Sequence, residues 1–281
     1  MRLRKWFLLL MIFGGISAVF AQTEKEDEIL RIDTQVVDVP IVVTDKTGKP
    51  LLNLKRSNFV VYEDGKAQEV TDFAAAAAPF EVALLLDTSG SMQGEAIDEL
   101  NRGLRAFREE LFNDSLSMKR VEIAVVTFGP VSVLHDFTTA DQFRPIQMEA
   151  SGDTPLASAV ERGLGLLNDR KQILRKNGIK LFRPWIFLIT DGAPTDNWKN
   201  LPQIVRAGEE NKSFSFFALG AGNADFNVLK QISVREPMKL NGVRFKEFFL
   251  WLSASLKSVS RSNPGDGVQI PDYKPYGWAE V

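Results

Sequence analysis

The sequence predicts an α/β fold in which a mostly parallel sheet has helices on both faces, preceded by a small all-β module. From residue 80 onward, short and nearly continuous apolar runs alternate with amphipathic helical repeats. Such alternation is typical of parallel strands linked by helices that cover the sheet. Before this part, residues 28–73 are rich in β-branched residues with a period of two, which indicates short strands.

The composition limits the classes of protein and of site that the chain can form. Of its 281 residues, 44% are hydrophobic and 25% are charged, a balance typical of a folded globular protein. The 34 Lys and Arg residues nearly balance the 36 Asp and Glu residues, so no nucleic-acid partner is expected. With no cysteine and one histidine, disulfides, thiol nucleophiles and Cys/His zinc sites are excluded. Any metal must be held by oxygen, which favours Mg²⁺, Ca²⁺ or Mn²⁺.

Residues 1–21 have the pattern of a bacterial export signal. Three basic residues within the first five precede the apolar run Trp6–Phe20, which ends in the small-residue pattern Ala18-Val-Phe-Ala21. Because this run is shorter than the roughly 20 residues that span a bilayer, we expect cleavage rather than a membrane anchor. The predicted destination is the periplasm or the extracellular space, with no membrane span after cleavage.

Residues 28–73 predict a small β-module. β-Branched and polar residues precede a turn at Lys46–Pro50, and the run Phe59–Tyr62 is followed by the turn Glu63–Gly65. We expect three to five short strands with hairpin links. A module of about 50 residues is only marginally stable alone, so it should dock on the larger domain, to which Ala74–Ala78 links it.

Residues 80–261 form the larger domain, and 262–281 are expected to be a polar, proline-rich tail on the surface. The predicted strands are Phe80–Leu86, Val121–Phe128, Val131–Phe137, Trp185–Thr190 and Phe214–Leu219, of which the second and third form a pair. Apolar residues spaced three and four apart predict helices that contain Ile97–Leu111, Leu156–Leu167 and Phe245–Val259. The charged stretch Arg170–Lys180 is expected to be solvated surface or linker.

Three loops of this domain carry oxygen-bearing side chains where strands end or helices begin. They are Asp87-Thr-Ser-Gly-Ser91, Gly152-Asp-Thr-Pro155 and Thr190-Asp-Gly-Ala-Pro-Thr-Asp196. The carboxyl ends of neighbouring parallel strands border one crevice. We therefore predict that the three loops converge there.

The chemistry of these loops suits a hard divalent cation. The candidate ligands are Asp87, Ser89, Ser91, Thr154 and Asp191. Mg²⁺ takes six oxygens and gives up water reluctantly, so neutral hydroxyls with two carboxylates, acting directly or through water, match its preference. Mn²⁺ and Ca²⁺ are the alternatives. So few anionic ligands leave the cation under-neutralised, which predicts binding of a protein partner with an exposed Asp or Glu rather than catalysis.

These residues resemble the metal-ion-dependent adhesion site (MIDAS) of von Willebrand factor A domains. Asp-x-Ser-x-Ser at 87–91, Thr154 within Gly-Asp-Thr-Pro-Leu and Asp191 within Thr-Asp-Gly match all five metal-site positions of that family. The resemblance implies a Rossmann-like sheet ringed by helices, Mg²⁺ or a similar divalent cation, and protein binding of an adhesion or scaffold type without enzymatic activity.

Other segments are similar to two more specific groups. Leu84–Met92, Arg183–Gly192, Asn223–Phe226 and Phe248–Leu256 resemble the TerY-type branch of A domains. That branch is associated with tellurite resistance and with kinase and phosphatase modules, and its members are generally cytoplasmic. Val39–Leu86 instead resembles the amino-terminal part of exported A-domain-related proteins common in acidobacteria. A component of a tellurite-type stress module is therefore an alternative function.

Two further interpretations of the site are open. A metal-dependent hydrolase or phosphatase would use Asp87, but aspartyl-phosphate chemistry requires a second acid two residues later, where the chain has Ser89. A structural A domain without working metal would use the first loop as a turn and helix cap. Asp153 and Asp196 are expected to be caps or supporting groups. His135 is expected on the surface, because no Gly-x-Ser-x-Gly motif accompanies it.

Overall fold

The computed structural model describes residues 43, 54–70, 78–176, 179–262 and 264–279. The predicted export signal, most of the predicted strands of the 28–73 module, and the linker before Ala78 lie outside the described residues.

The described part of the amino-terminal module contains a β-hairpin. Strand β1 (Val61–Glu63) pairs antiparallel with β2 (Lys66–Gln68). The turn residues Asp64 and Gly65 have φ angles of 48° and 77°, the positive values that a two-residue type I′ turn requires. The turn predicted at Glu63–Gly65 is therefore confirmed.

Within the described residues, a six-stranded sheet forms the centre of the fold and confirms the predicted α/β class. Its strands are β3 (Phe80–Asp87), β4 (Val121–Phe128), β5 (Ser132–Thr139), β6 (Trp185–Thr190), β7 (Ser215–Gly220) and β8 (Met238–Lys239). They lie in the order β5-β4-β3-β6-β7-β8, and each neighbouring pair is parallel except β4 and β5. The sequence predicted β3 to β7 to within one or two residues at each end, whereas β8 was not predicted.

The central strands are apolar along their length because helices cover both faces of the sheet. Every residue of β3 and β4 is buried, as expected for strands packed on two sides. Since β3 lies between β4 and β6, the carboxyl ends of these three strands set the positions of the loops that follow them.

The described helices are α1 (Glu95–Phe112), α2 (Ser115–Arg120), α3 (Leu156–Lys176), α4 (Leu201–Glu210), α5 (Phe226–Ile232) and α6 (Phe245–Ser260). One face of β3, with Val82 and Leu84, packs with α1 and α6, and the opposite face, with Ala83 and Leu85, packs with α3, α4 and α5. Helices α1, α3 and α6 contain the predicted apolar repeats, whereas α2, α4 and α5 were not predicted. None of the helices in the described ranges is both long and apolar enough to cross a bilayer.

Helix α3 extends further than the charge pattern indicated. The expectation that Arg170–Lys180 is solvated surface or linker is correct for the exposed residues 172, 173, 175 and 176, but the segment is helical up to Lys176, where α3 ends, and Lys171 and Leu174 are buried. Lys171 is buried and its Nζ donates to a backbone carbonyl, while Arg170 pairs with Glu122. Long charged side chains can bury their aliphatic stems and carry the charge to a polar partner, which a run of charges in the sequence does not reveal.

The described part of the carboxyl-terminal segment is exposed or half-buried, in line with the expected surface tail, except at one residue. Trp278 is fully buried, and its ring centroid lies 5.2 Å from those of Phe248 and Trp251. The Trp251 Nε1 donates to the Pro271 carbonyl at 2.9 Å. Val268, Tyr273, Tyr276 and Ala279 also pack against this core. The apolar side chains of the segment therefore anchor it, with the large Trp278 ring at their centre.

Candidate metal centre

The loop after β3 and the loop before α3 are joined by their backbones at the carboxyl edge of the sheet. Gly90 N donates to the Gly152 carbonyl at 3.0 Å, and Ser151 N donates to the Thr88 carbonyl at 2.8 Å. These bonds place the first two predicted loops against each other.

Gly129, directly after β4, allows this close approach. Its φ is 130°, and a Cβ built on it would lie 2.5 Å from Ser89 N and 2.7 Å from the Ser151 carbonyl oxygen. Distances this short exclude any side chain, so only glycine fits at this position, where the backbone contacts both loops.

Asp87 forms the buried base of the site, with 0% of its surface exposed. Its Oδ1 accepts a hydrogen bond from Ser89 N at 2.8 Å, and its Oδ2 accepts one from Thr190 Oγ1 at 2.5 Å. Burial raises the pKa of Asp87 above its ordinary value; the hydrogen bonds from Ser89 and Thr190 lower the pKa, and the charge of Asp191 raises it. A desolvated carboxylate beside a second one is stabilised by a nearby cation.

Ser89, Ser91 and Asp191 extend from this base towards solvent. Ser89 Oγ lies 3.0 Å from Ser91 Oγ, and Ser91 Oγ donates to Asp191 Oδ1 at 2.6 Å. Ser89 is buried, Asp191 is partly buried and Ser91 is exposed. The side chains therefore form a connected polar path from the core to the surface.

Thr154 borders the same space. A Cβ built on Gly192 would lie 3.5 Å from Thr154 Oγ1 and 3.6 Å from Ser91 Oγ, so both hydroxyls lie against the backbone at Gly192. The structure brings together all of the residues predicted for the site, which are Asp87, Ser89, Ser91, Thr154 and Asp191.

Sequence reasoning missed the part that Thr190 plays. This fully buried last residue of β6 donates to Asp87, and its Oγ1 accepts from Gly192 N at 3.2 Å. A β-branched residue in an apolar run indicates only a strand former. The available signal was its place directly before Asp191, on a strand that neighbours β3.

The donor set of this site fits a hard divalent cation. Hydroxyl and carboxylate oxygens are ligands that Mg²⁺, Mn²⁺ and Ca²⁺ accept. Across the described ranges, no group of three or more His, Cys, Asp or Glu side chains is arranged to hold a metal. A site here would therefore depend on hydroxyls together with two carboxylates, which suits a cation that keeps part of its water.

Asp87 and His135, the groups that the hydrolase interpretations would use, are both shielded from solvent to some degree. Asp87 is fully buried and both of its oxygens accept hydrogen bonds. His135 was expected on the surface but is partly buried. Its ring lies edge-on to Phe143, with centroids 4.9 Å apart, and burial lowers the pKa of His135.

Comparison with known proteins gives one family and several similar folds. The model of the von Willebrand factor type A domain matches residues 81–248. The pilus adhesin SpaC from Lactobacillus rhamnosus GG, in its open conformation, is similar with a TM-score of 0.56 and 13% identity over 67% of this chain and 31% of the adhesin. Proximal thread matrix protein 1 from the mussel byssus, with a zinc-occupied MIDAS motif, has a TM-score of 0.44 and 18% identity over 68% of this chain and 47% of that chain. No curated protein matches the sequence. The chain spans about a third of the length of the adhesin.

Proposed function

The chain belongs to the von Willebrand factor type A family, whose model matches more than half of its residues, and from this premise we propose a metal-dependent protein-binding function. A divalent cation, Mg²⁺ or alternatively Mn²⁺ or Ca²⁺, is held by the side chains of Asp87, Ser89, Ser91, Thr154 and Asp191, with the two carboxylates acting directly or through water. A protein partner supplies an exposed Asp or Glu that completes the shell of the cation. The partner is not nucleic acid.

The contact between Ser91 and Asp191 is the observation that carries this proposal. These side chains come from the loops after β3 and β6 and meet at 2.6 Å, at the exposed end of a polar path whose other end is the buried Asp87. A bound cation supplies positive charge at this point, where few charges neutralise it and one side faces solvent. A carboxylate from another molecule is the ligand that this charge favours.

The other residues of the site hold the ligands in place. Asp87 accepts from Ser89 N and thereby fixes the turn that presents the hydroxyls of Ser89 and Ser91. Thr190 holds Asp87 from the neighbouring strand. Because these bonds form within the chain itself, the site is organised before a partner arrives, and less ordering is needed on binding.

We propose recognition rather than catalysis for this site. The support is the inaccessible Asp87, together with the fold shared with a pilus adhesin. The hydrolase or phosphatase alternative gains no support from the described residues. Assignment to the TerY-type branch, a part in a tellurite-type stress module, and the likeness of Val39–Leu86 to exported acidobacterial proteins stay predictions from the sequence.

We also propose that the protein is exported and acts in the periplasm or the extracellular space. The support is the basic, apolar and small-residue pattern of residues 1–21. The fold shared with a pilus adhesin is in keeping with this proposal.

Calorimetric titration tests the metal site. Chelator-treated protein is titrated with MgCl₂ and with MnCl₂, and we expect binding that Asp191→Ala abolishes and Asp272→Ala preserves, since Asp272 is exposed in the carboxyl-terminal segment. Mg²⁺ at 100 times its Kd should stabilise the fold by about 2.7 kcal/mol and raise Tm by roughly 5–10 °C. A parent that binds neither cation, or an Asp191→Ala variant that titrates like the parent, contradicts the proposal.

Partner binding is tested separately. Immobilised protein is exposed to envelope and extracellular fractions in Mg²⁺ and in chelator, and any captured protein is then studied with its exposed Asp and Glu residues replaced in turn. Binding should require Mg²⁺ and one acidic residue of the partner. Equal binding in chelator, or binding that survives every such replacement, would overturn the recognition mechanism.

A further inference from the structure

Thr195 holds the main chain of Thr154 across two loops. Thr154 N donates to Thr195 Oγ1 at 3.1 Å, and Thr195 N donates to the Thr154 carbonyl at 2.9 Å. Both main-chain polar groups of Thr154 are therefore bonded to one residue of the loop that follows β6.

Asp196, the next residue, caps helix α3 from outside that helix. Its Oδ1 accepts from Ala157 N at 3.0 Å, and its Oδ2 accepts from Ser158 N and Ser158 Oγ, each at 2.8 Å. Proline at position 155 precedes the helix and has no side-chain acceptor. A carboxylate at this place satisfies the free amides of the first turn and complements the positive end of the helix dipole.

Two of these five hydrogen bonds join the Thr154 loop, and three join the first turn of α3, to the loop that carries Asp191. We infer that Thr195 and Asp196 are positioning residues that hold the Thr154 hydroxyl at its distance from Asp191 and so set the affinity of the site for its cation. The inference rests on the proposed function, because it concerns the same metal site.

Neither residue acts as a ligand in this arrangement. Both oxygens of Asp196 are occupied by donors of α3, and Thr195 Oγ1 accepts from Thr154 N. They act on the cation only through Thr154. Loss of a group that orients a metal ligand commonly weakens metal binding about 10–100-fold.

The test measures metal affinity and stability in the same variants. Thr195→Val keeps the size of the side chain and removes the acceptor, and Asp196→Asn removes the charge and one acceptor. Both should raise the Kd for Mg²⁺ and for Mn²⁺ at least tenfold in calorimetric titration. The matched control is Asp114→Asn, because Asp114 caps α2 through Ser117 N at 2.8 Å and pairs with Arg261, just before the amino-terminal end of β4. This change removes the charge of a cap and its ion pair away from the site. It should lower stability to urea and leave both Kd values unchanged.

A compensating change separates positioning from simple helix capping. Ser158→Asp, added to Asp196→Asn, returns a negative charge to the first turn of α3 without linking the two loops. Stability of the metal-free protein should recover, and the Kd should stay raised. If both the stability and the Kd returned to the parent's values, helix capping alone would explain the effect of Asp196 and the inference would be overturned.

The two proposals fail in different ways. If the parent binds no Mg²⁺ or Mn²⁺, the proposed function fails and this inference falls with it. In the second case, the parent binds Mg²⁺ or Mn²⁺ and Asp191→Ala does not, but Thr195→Val and Asp196→Asn have the same Kd as the parent. The metal site then stands, and only the positioning role is overturned.

Discussion

Glu81 and Glu122 occupy paired positions in the parallel register of β3 and β4, and their carboxylates are held in different ways. Arg170 Nε donates to Glu122 Oε2 at 2.7 Å. In the part of the chain that the structure describes, neither side-chain oxygen of Glu81 has a hydrogen-bond partner, and the residue is 0% exposed. Burial is the largest cause that raises the pKa of Glu81 to about 7, and the charge of Glu122 raises it further. The nearby amide of its own backbone, which is too poorly aligned to form a hydrogen bond, and the charges of Arg170 and Lys171 lower the pKa.

Replacement of Glu81 by Gln should remove a pH dependence of stability. The folded pKa of about 7 exceeds the ordinary value of 4.5, so the contribution of Glu81 is fully present below pH 4.5 and is lost as the pH rises through 7. Between pH 5 and 8 the parent should therefore lose roughly 2–3 kcal/mol of unfolding free energy relative to Glu81→Gln. Urea unfolding at the two pH values measures this difference.

Glu122→Gln serves as the control for that experiment. It leaves Arg170 without its carboxylate partner and should destabilise the protein at both pH values, because loss of one member of a largely buried pair is costly. Since the charge of Glu122 raises the pKa of Glu81, this variant should keep a pH dependence that is smaller than the parent's. A Glu81→Gln effect that is the same at pH 5 and pH 8 would show that Glu81 does not titrate in this range.

Replacement of Gly129 by Ala should disturb both the fold and the metal site. The new Cβ would lie 2.5 Å from Ser89 N and 2.6 Å from the carbonyl carbon of Thr88, and backbone atoms cannot rotate away as a side chain can. We expect the free energy of unfolding, measured in urea, to fall by at least about 2 kcal/mol because of strain and overpacking together. We also expect weaker Mg²⁺ binding. Gly242→Ala is the control, because Gly242 also has a positive φ but no atom lies within 4 Å of its Cβ position. If Gly129→Ala lowers the free energy of unfolding no more than Gly242→Ala does, the close approach of Gly129 to Thr88 and Ser89 is unimportant for stability.

Truncation of Trp278 should show that the carboxyl-terminal segment is part of the core. Trp278→Ala removes a fully buried ring that contacts Phe248 and Trp251, and such truncations cost about 3–5 kcal/mol. Ile270→Ala, an exposed residue of the same segment, should change stability by less than about 0.5 kcal/mol. Equal small effects in urea unfolding would mean that the segment lies loosely on the surface.

The long elements could be predicted because their signals are local. The run from Trp185 to Thr190 is apolar and bounded by Pro184 and Asp191, so the predicted strand coincides with β6. Helix α5 was missed because seven residues contain too few apolar repeats. The sequence did contain one signal for this helix, because aspartate favours the N-cap position. In the structure, Asp225 is the N-cap and accepts from Asn227 N and Val228 N.

The candidate site was partly predictable for a similar reason. Asp87 and Asp191 are polar residues that follow apolar strands, and this placement alone indicates the carboxyl edge of the sheet. Their role as metal ligands stays a prediction. The contributions of Gly129 and Thr195 depend on backbone distances between separate loops. Glycine and threonine also occur in ordinary turns, so the residue types alone do not reveal these roles.

The sequence by itself determined the class of fold, the order of its long elements and the oxygen chemistry available at one edge of the sheet, because apolar period and residue type act over a few neighbouring positions. Only the tertiary structure decided that Arg170 meets Glu122 and not Glu81, that Thr195 meets Thr154, and that Trp278 is buried. Hydrogen bonds and burial depend on separations of a few ångström between segments that are distant in the chain, and the packing of the whole domain sets those separations.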